Sequence, residues 1–147
     1  MPIGNTERNE NLYLNKKTFK LLLNFVKENK KKLKIKFGEN LGYLGKYDKK
    51  VRSEPFFCPV GFLACCIGVN GNVRGCPEEP DIPYFREGNI LKTDISEIWE
   101  KGFKKYRDKK FLNDQKCQKC KFKNDCNGGC WVMKLRDIHC SINKYSL

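Results

Sequence analysis

Histidine is nearly missing from this 147-residue chain, which has one, His139, beside nine cysteines. Any metal site must therefore draw on sulfur, and His139 reads as a surface residue or a neighbour of ligands rather than a ligand. No stretch approaches the roughly 18 consecutive apolar residues of a membrane helix, and the Met1 end has no basic segment leading into an apolar one. A cytoplasmic protein with no membrane partner is expected. Acidic residues are also scarce, 17 against 30 Lys and Arg, which leaves a formal charge of +13. Taken alone, that excess favours an acidic partner such as nucleic acid or a membrane surface. No internal repeat is evident.

The cysteines fall between positions 58 and 140, so the first third of the chain must be stabilised by other means. An odd count, the C-x2-C spacing and the missing secretory segment oppose a disulfide scaffold. In residues 16–29, Phe19, Leu22, Leu23 and Val26 recur at helical spacing, with Asn15 as N-cap and lysines on the remaining faces. The following residues 33–37, LKIKF, alternate apolar and basic as a half-buried strand does. Residues 38–45 contain three glycines and form a loop.

Beyond Cys65 and Cys66, the pair Asn70-Gly71 predicts a tight hairpin turn with cysteines at both ends of the hairpin. Residues 78–85, EEPDIPYF, read as an acidic loop. Asp94 or Ser96 caps a helix whose Ile95, Ile98, Trp99, Phe103 and Tyr106 form one apolar stripe. Trp99 reads as a packing residue.

Cys117, Cys120, Cys126 and Cys130 form C-x2-C-x5-C-x3-C, a strong metal-binding signal when joined to the upstream cysteines and Cys140. Gly128 and Gly129 let the backbone bend closely around a bulky core. Lys116, Lys119, Lys121 and Lys123 interleave with these ligands and would favour a more negative, reduced cluster. Structural zinc is the alternative, although its usual half-sites are paired C-x2-C units. Asp108 and Asp125 read equally as solvated carboxylates or substrate contacts.

The pattern Cys58-x12-Gly71-x4-Cys76, then Cys117-x2-Cys120-x5-Cys126-x3-Cys130, then Cys140, resembles the seven-cysteine pattern of the SPASM domain over about residues 56–142. That is the C-terminal auxiliary-cluster domain of many radical S-adenosylmethionine (SAM) enzymes. The resemblance implies two [4Fe-4S] clusters, with Cys58, Cys76 and Cys130 serving the first and Cys117, Cys120, Cys126 and Cys140 the second. For the first cluster's fourth ligand, Cys65 is favoured because it shares its side of the strand with Ile67; Cys66 faces the other way and substitutes if the strand bulges. Eight thiolates around two oxidised clusters would add about −4 in charge, which weakens the argument for nucleic acid.

The fold implied is a small α+β, metal-built domain, a β-hairpin with helices and cysteine-rich loops around two clusters. Residues 1–45 resemble a helix-strand remnant of a partial (β/α) barrel with its linker, and residues 46–147 the auxiliary domain. No C-x3-C-x2-C run is present, so SAM would bind only in a full-length enzyme whose barrel is missing here. The expected function is electron transfer and substrate positioning in a peptide- or protein-modifying enzyme, with an external electron donor or acceptor as a further partner and no catalysis by the chain alone. Two other readings are a freestanding two-cluster electron carrier and a zinc-built nucleic-acid binder.

Overall fold

The computed structural model describes residues 9–38, 41–109, 113–135, 140 and 142. The chain divides into two compact units: Met1–Cys58 with Asp114–Leu147, and Pro59–Asn113. Among the described residues no helix is long and apolar enough to cross a membrane.

The first unit is built on helix α1 (Lys16–Asn29), started by Asn15, whose side chain accepts from Thr18 N at 2.9 Å. A 14-residue helix is marginal alone. Phe19, Leu23 and Val26 are buried along one face and pack with Leu44 and Val51, each large side chain contributing about 1.5–3 kcal/mol. Leu21 and Phe25 lie exposed on the outer side, so the remaining faces carry more than lysines.

The strand expected at 33–37 does not form. Leu33 N and Lys32 N bond back to Asn29 O, and Ile35 N to Leu33 O, so the backbone turns and no neighbouring strand supplies a ladder. The alternation survives only as packing: Ile35 and Phe37 lie against the core while Lys34 and Lys36 are exposed. Of the helix-strand pair expected over residues 1–45, only the helix forms among the described residues.

The loop before the short helix α2 (Asp48–Val51) is held by a buried ion pair. Asp48 Oδ2 accepts from Leu44 N at 2.9 Å and from Arg52 Nε at 3.3 Å, while Arg52 Nη2 donates to Gly42 O at 2.9 Å. Charges at these depths persist because their hydrogen bonds are made.

The second unit holds a three-stranded antiparallel sheet of β1 (Cys66–Ile67), β2 (Asn72–Arg74) and β3 (Arg86–Asn89), in that order. Cys66 pairs with Arg74 and Ile67 with Val73. The hairpin turn forms as expected, but only Gly71 takes a positive φ, +79°. Its amide closes the turn onto Gly68 O at 2.9 Å. Asp81 braces the turn from outside by accepting from Asn70 Nδ2 at 2.7 Å, Asn72 Nδ2 at 3.1 Å and Arg86 Nε at 2.7 Å.

Asp94 caps α3 (Ile95–Lys101), accepting from Ser96 N at 2.8 Å. The single helix expected to run through Tyr106 is broken. Phe103 adopts φ +61°, its amide donates to Glu87 Oε2 at 2.7 Å, and a separate turn α4 (Lys104–Arg107) follows. A contact 16 residues distant in sequence overrides the local periodicity, yet Ile98, Phe103 and Tyr106 all remain buried.

Candidate iron-sulfur centre

The first unit carries the C-x2-C-x5-C-x3-C segment as short turns. Asp114 caps α5 (Gln115–Gln118) by accepting from Lys116 N, which presents Cys117 within the helix and Cys120 just beyond it. Cys120 N bonds to Cys117 O at 3.1 Å. After α6 (Lys123–Cys126) the backbone takes three positive φ values in succession, at Asn127, Gly128 and Gly129. This bend returns the chain around Cys126: a Cβ at Gly129 would stand 3.6 Å from Cys126 Sγ and 3.9 Å from Tyr43 N. Helix α7 (Trp131–Leu135) then buries Trp131, Val132 and Met133.

Three other sulfurs lie within electrostatic reach of Cys126. Burial pushes its thiol up to about 12, Cys140 adds most among the charges, and Cys117 and Cys120 add further, while the Gly128 amide opposes the shift. Thiolates brought this close repel one another until a cation offsets their charge. Lys134 answers part of that charge. Although burial disfavours its ammonium, hydrogen bonds to Cys117 and Asp114 raise its pKa overall, and its Nζ lies 3.5 Å from Asp114 Oδ2.

Tyr43 stands beside the same sulfur. Its ring packs on Phe122 at 5.8 Å and Phe56 at 6.5 Å, and its hydroxyl is pushed up to about 12 by burial first, then by Asp125, Asp48 and Cys126. A cavity of about 220 Å³ opens here, lined by Tyr43, Arg52, Phe56 and Asp125 among others. Asp125 therefore belongs to this lining; Asp108 lies in the second unit.

In the second unit, Cys65, Cys66 and Cys76 stand at the open end of the hairpin. Burial raises the Cys65 thiol, and the adjacent Cys66 adds to the shift. Cys76 N donates to Glu79 Oε2 at 3.1 Å, and Tyr106 donates its hydroxyl to Glu79 Oε1. Cys58 and Cys130, also expected at the first cluster, belong to the first unit. His139 lies outside the described residues.

Among the described residues, which include every cysteine, none is in a disulfide and no three His, Cys, Asp or Glu side chains are placed to hold a single metal ion. The sulfur donors themselves suit iron: soft thiolates near a glycine bend, with an ammonium hydrogen-bonded to one of them. Arg74 Nε adds a second signal, a buried donor with no acceptor among the described residues, on the strand opposite Cys66.

Sequence reasoning passed over Tyr43, Glu79, Arg74 and Lys134. Lys134 carried a faint signal at one helical turn past Cys130; Glu79 carried none, because an acidic residue in a proline-flanked segment reads as solvated.

No curated protein and no solved structure matches the chain. Residues 58–121 match the family model of SPASM, an iron-sulfur cluster-binding domain, a match that takes in six cysteines through Cys120 and stops before Cys126, Cys130 and Cys140. With its small α+β fold and its cysteines at a hairpin end, this stretch is similar to a SPASM-type auxiliary iron-sulfur domain, the kind that accompanies radical SAM catalytic domains.

Proposed function

We propose that the chain binds two [4Fe-4S] clusters and serves electron transfer and substrate positioning within a radical SAM enzyme that modifies a peptide or protein. The observation that carries this reading is the match of residues 58–121 to an iron-sulfur family, joined to the left-handed backbone bend that follows Cys126. Cys117, Cys120, Cys126 and Cys140 are the second cluster's ligands. Cys58, Cys76, Cys130 and one of the adjacent pair Cys65 and Cys66 hold the first.

Such clusters supply one-electron chemistry. Clusters with every iron held by cysteine leave no open coordination position, so substrate is positioned by side chains and not by iron. Tyr43, Phe56 and Asp125 give the first unit a recess beside Cys126 where a peptide side chain fits. In this reading residues 1–45 contribute the last helix of a catalytic barrel and residues 46–147 form the auxiliary domain; the apolar face of α1 supports the first part.

Anaerobic iron and sulfide analysis with electron paramagnetic resonance after reduction tests the proposal. About eight iron and eight sulfide per chain are expected. Zinc without sulfide, persisting after anaerobic reconstitution, would overturn it in favour of a structural zinc domain.

A further inference from the structure

The hairpin register separates the adjacent cysteines. Residues directly opposite on antiparallel strands present their side chains to the same face, and alternate residues share it. Cys66 is opposite Arg74, and Cys76 follows Arg74 by two. That face also includes Gly68, where an added Cβ would stand 3.9 Å from Arg74 Nη2. The other face is packed along β2, although Ile67 opposite Val73 is half exposed: Val73 is fully buried, and a Cβ on Gly75 would meet Tyr106 Cζ at 2.5 Å and Val60 Cγ1 at 2.7 Å. Alternation extended past the ends of β1 (Cys66–Ile67) and β2 (Asn72–Arg74) sends Cys65 toward the Val73 and Gly75 side, and sends Cys66 toward the side of Arg74 and Cys76.

A second, independent observation marks the same face. Arg74 Nη1 is anchored on Glu79 O, while Nε is buried and has no acceptor among the described residues. Buried donors of this kind are rare unless a group that accepts from them is missing. A cluster sulfide or ligand sulfur beside Cys66 and Cys76 would accept that hydrogen bond.

We propose that Cys66, and not Cys65, joins Cys76 in ligating the cluster at the hairpin, and that Arg74 is a positioning residue donating from Nε to that cluster. The proposal rests on the two-cluster reading above. It turns on the pairing of Cys66 with Arg74, which alternation counted from Ile67 alone did not include.

The test compares the whole chain with its Cys65→Ala, Cys66→Ala and Arg74→Lys variants after anaerobic reconstitution, reading iron and sulfide content and the reduction potential of each cluster. Cys66→Ala should lose about half of the iron and sulfide, whereas Cys65→Ala, an identical change in volume, should keep the wild-type content and spectrum. Arg74→Lys keeps the charge and removes the Nε donor. It should leave the iron content unchanged and shift one cluster roughly tenfold toward its oxidised form at a fixed donor potential. Loss of iron in Cys65→Ala, or full retention in Cys66→Ala, overturns the ligand assignment, and an unchanged potential in Arg74→Lys overturns the role of Arg74. A wild-type chain without iron and sulfide would instead defeat the two-cluster reading itself.

Discussion

Tyr106 donates its hydroxyl to Glu79 Oε1 in the interior of the second unit, while the other carboxylate oxygen of Glu79 accepts the amide of Cys76 at 3.1 Å. One buried acid thus ties a cysteine loop to the aromatic core. Gly75 makes the approach possible, because any side chain there would strike the Tyr106 ring.

Removing the donor should expose the cost of burying this acid. Tyr106→Phe keeps the ring and strips one hydrogen bond from a residue that is 1% exposed, so a loss of about 1–3 kcal/mol is expected in urea denaturation. A variant as stable as the wild type would show that Glu79 is satisfied without Tyr106.

The same residue sets a pH dependence. Burial raises the Glu79 pKa more than its hydrogen bonds to Tyr106, Cys76 and Gly75 and its attraction to Lys105 lower it. With the folded value above the unfolded one, the contribution to stability is complete below about pH 4.3 and is lost as pH rises through the folded pKa. Glu79→Gln should flatten that part of the stability-pH curve while keeping an acceptor for Cys76 N. Parallel curves for the two proteins would contradict the assignment.

Asp81 acts in the opposite sense. Hydrogen bonds from Arg86, Asn70 and Asn72 hold its carboxyl far below the usual range. Its contribution is therefore present above about pH 3.9 and is lost as pH falls through the folded value. Carboxyl-detected titration should show Asp81 as one of the most acidic groups, and Asp81→Asn should speed amide exchange at Gly71 and Asn72 in the turn.

Local chemistry made several elements readable in advance. Asn15 ahead of the Phe19, Leu22, Leu23 and Val26 stripe specified α1, and Asp94 with Ser96 specified the start of α3. The failures came where distant contacts decide. Residues 33–37 have the period of a strand but no partner, whereas β3 (Arg86–Asn89), REGN, has no strand-like alternation and exists because β2 pairs with it. The helix break at Phe103 depends on Glu87, and the groups beside the cysteines include Glu79 and Arg74 in the second unit and Lys134 in the first, whose partners are set by folding. Cysteine spacing nominates candidate ligands; it carried no information on which groups would surround them.

Lys134 supplies the last prediction. Its ammonium hydrogen-bonds Cys117 and lies 3.5 Å from Asp114 Oδ2, the cap of the helix that presents Cys117. A positive charge on a ligand sulfur stabilises the more negative, reduced state of a cluster. Lys134→Met keeps an unbranched apolar side chain and removes the charge. The potential of one cluster should fall, with reduction disfavoured roughly tenfold, while the other cluster and the iron content stay unchanged. Lys134→Arg should restore most of the wild-type value. If Lys134→Met loses iron instead of changing potential, the lysine acts by holding Asp114 and α5 in place, and the restoration by arginine would then be read in metal content. Redox titration of the three proteins, each with iron quantified, separates the two roles.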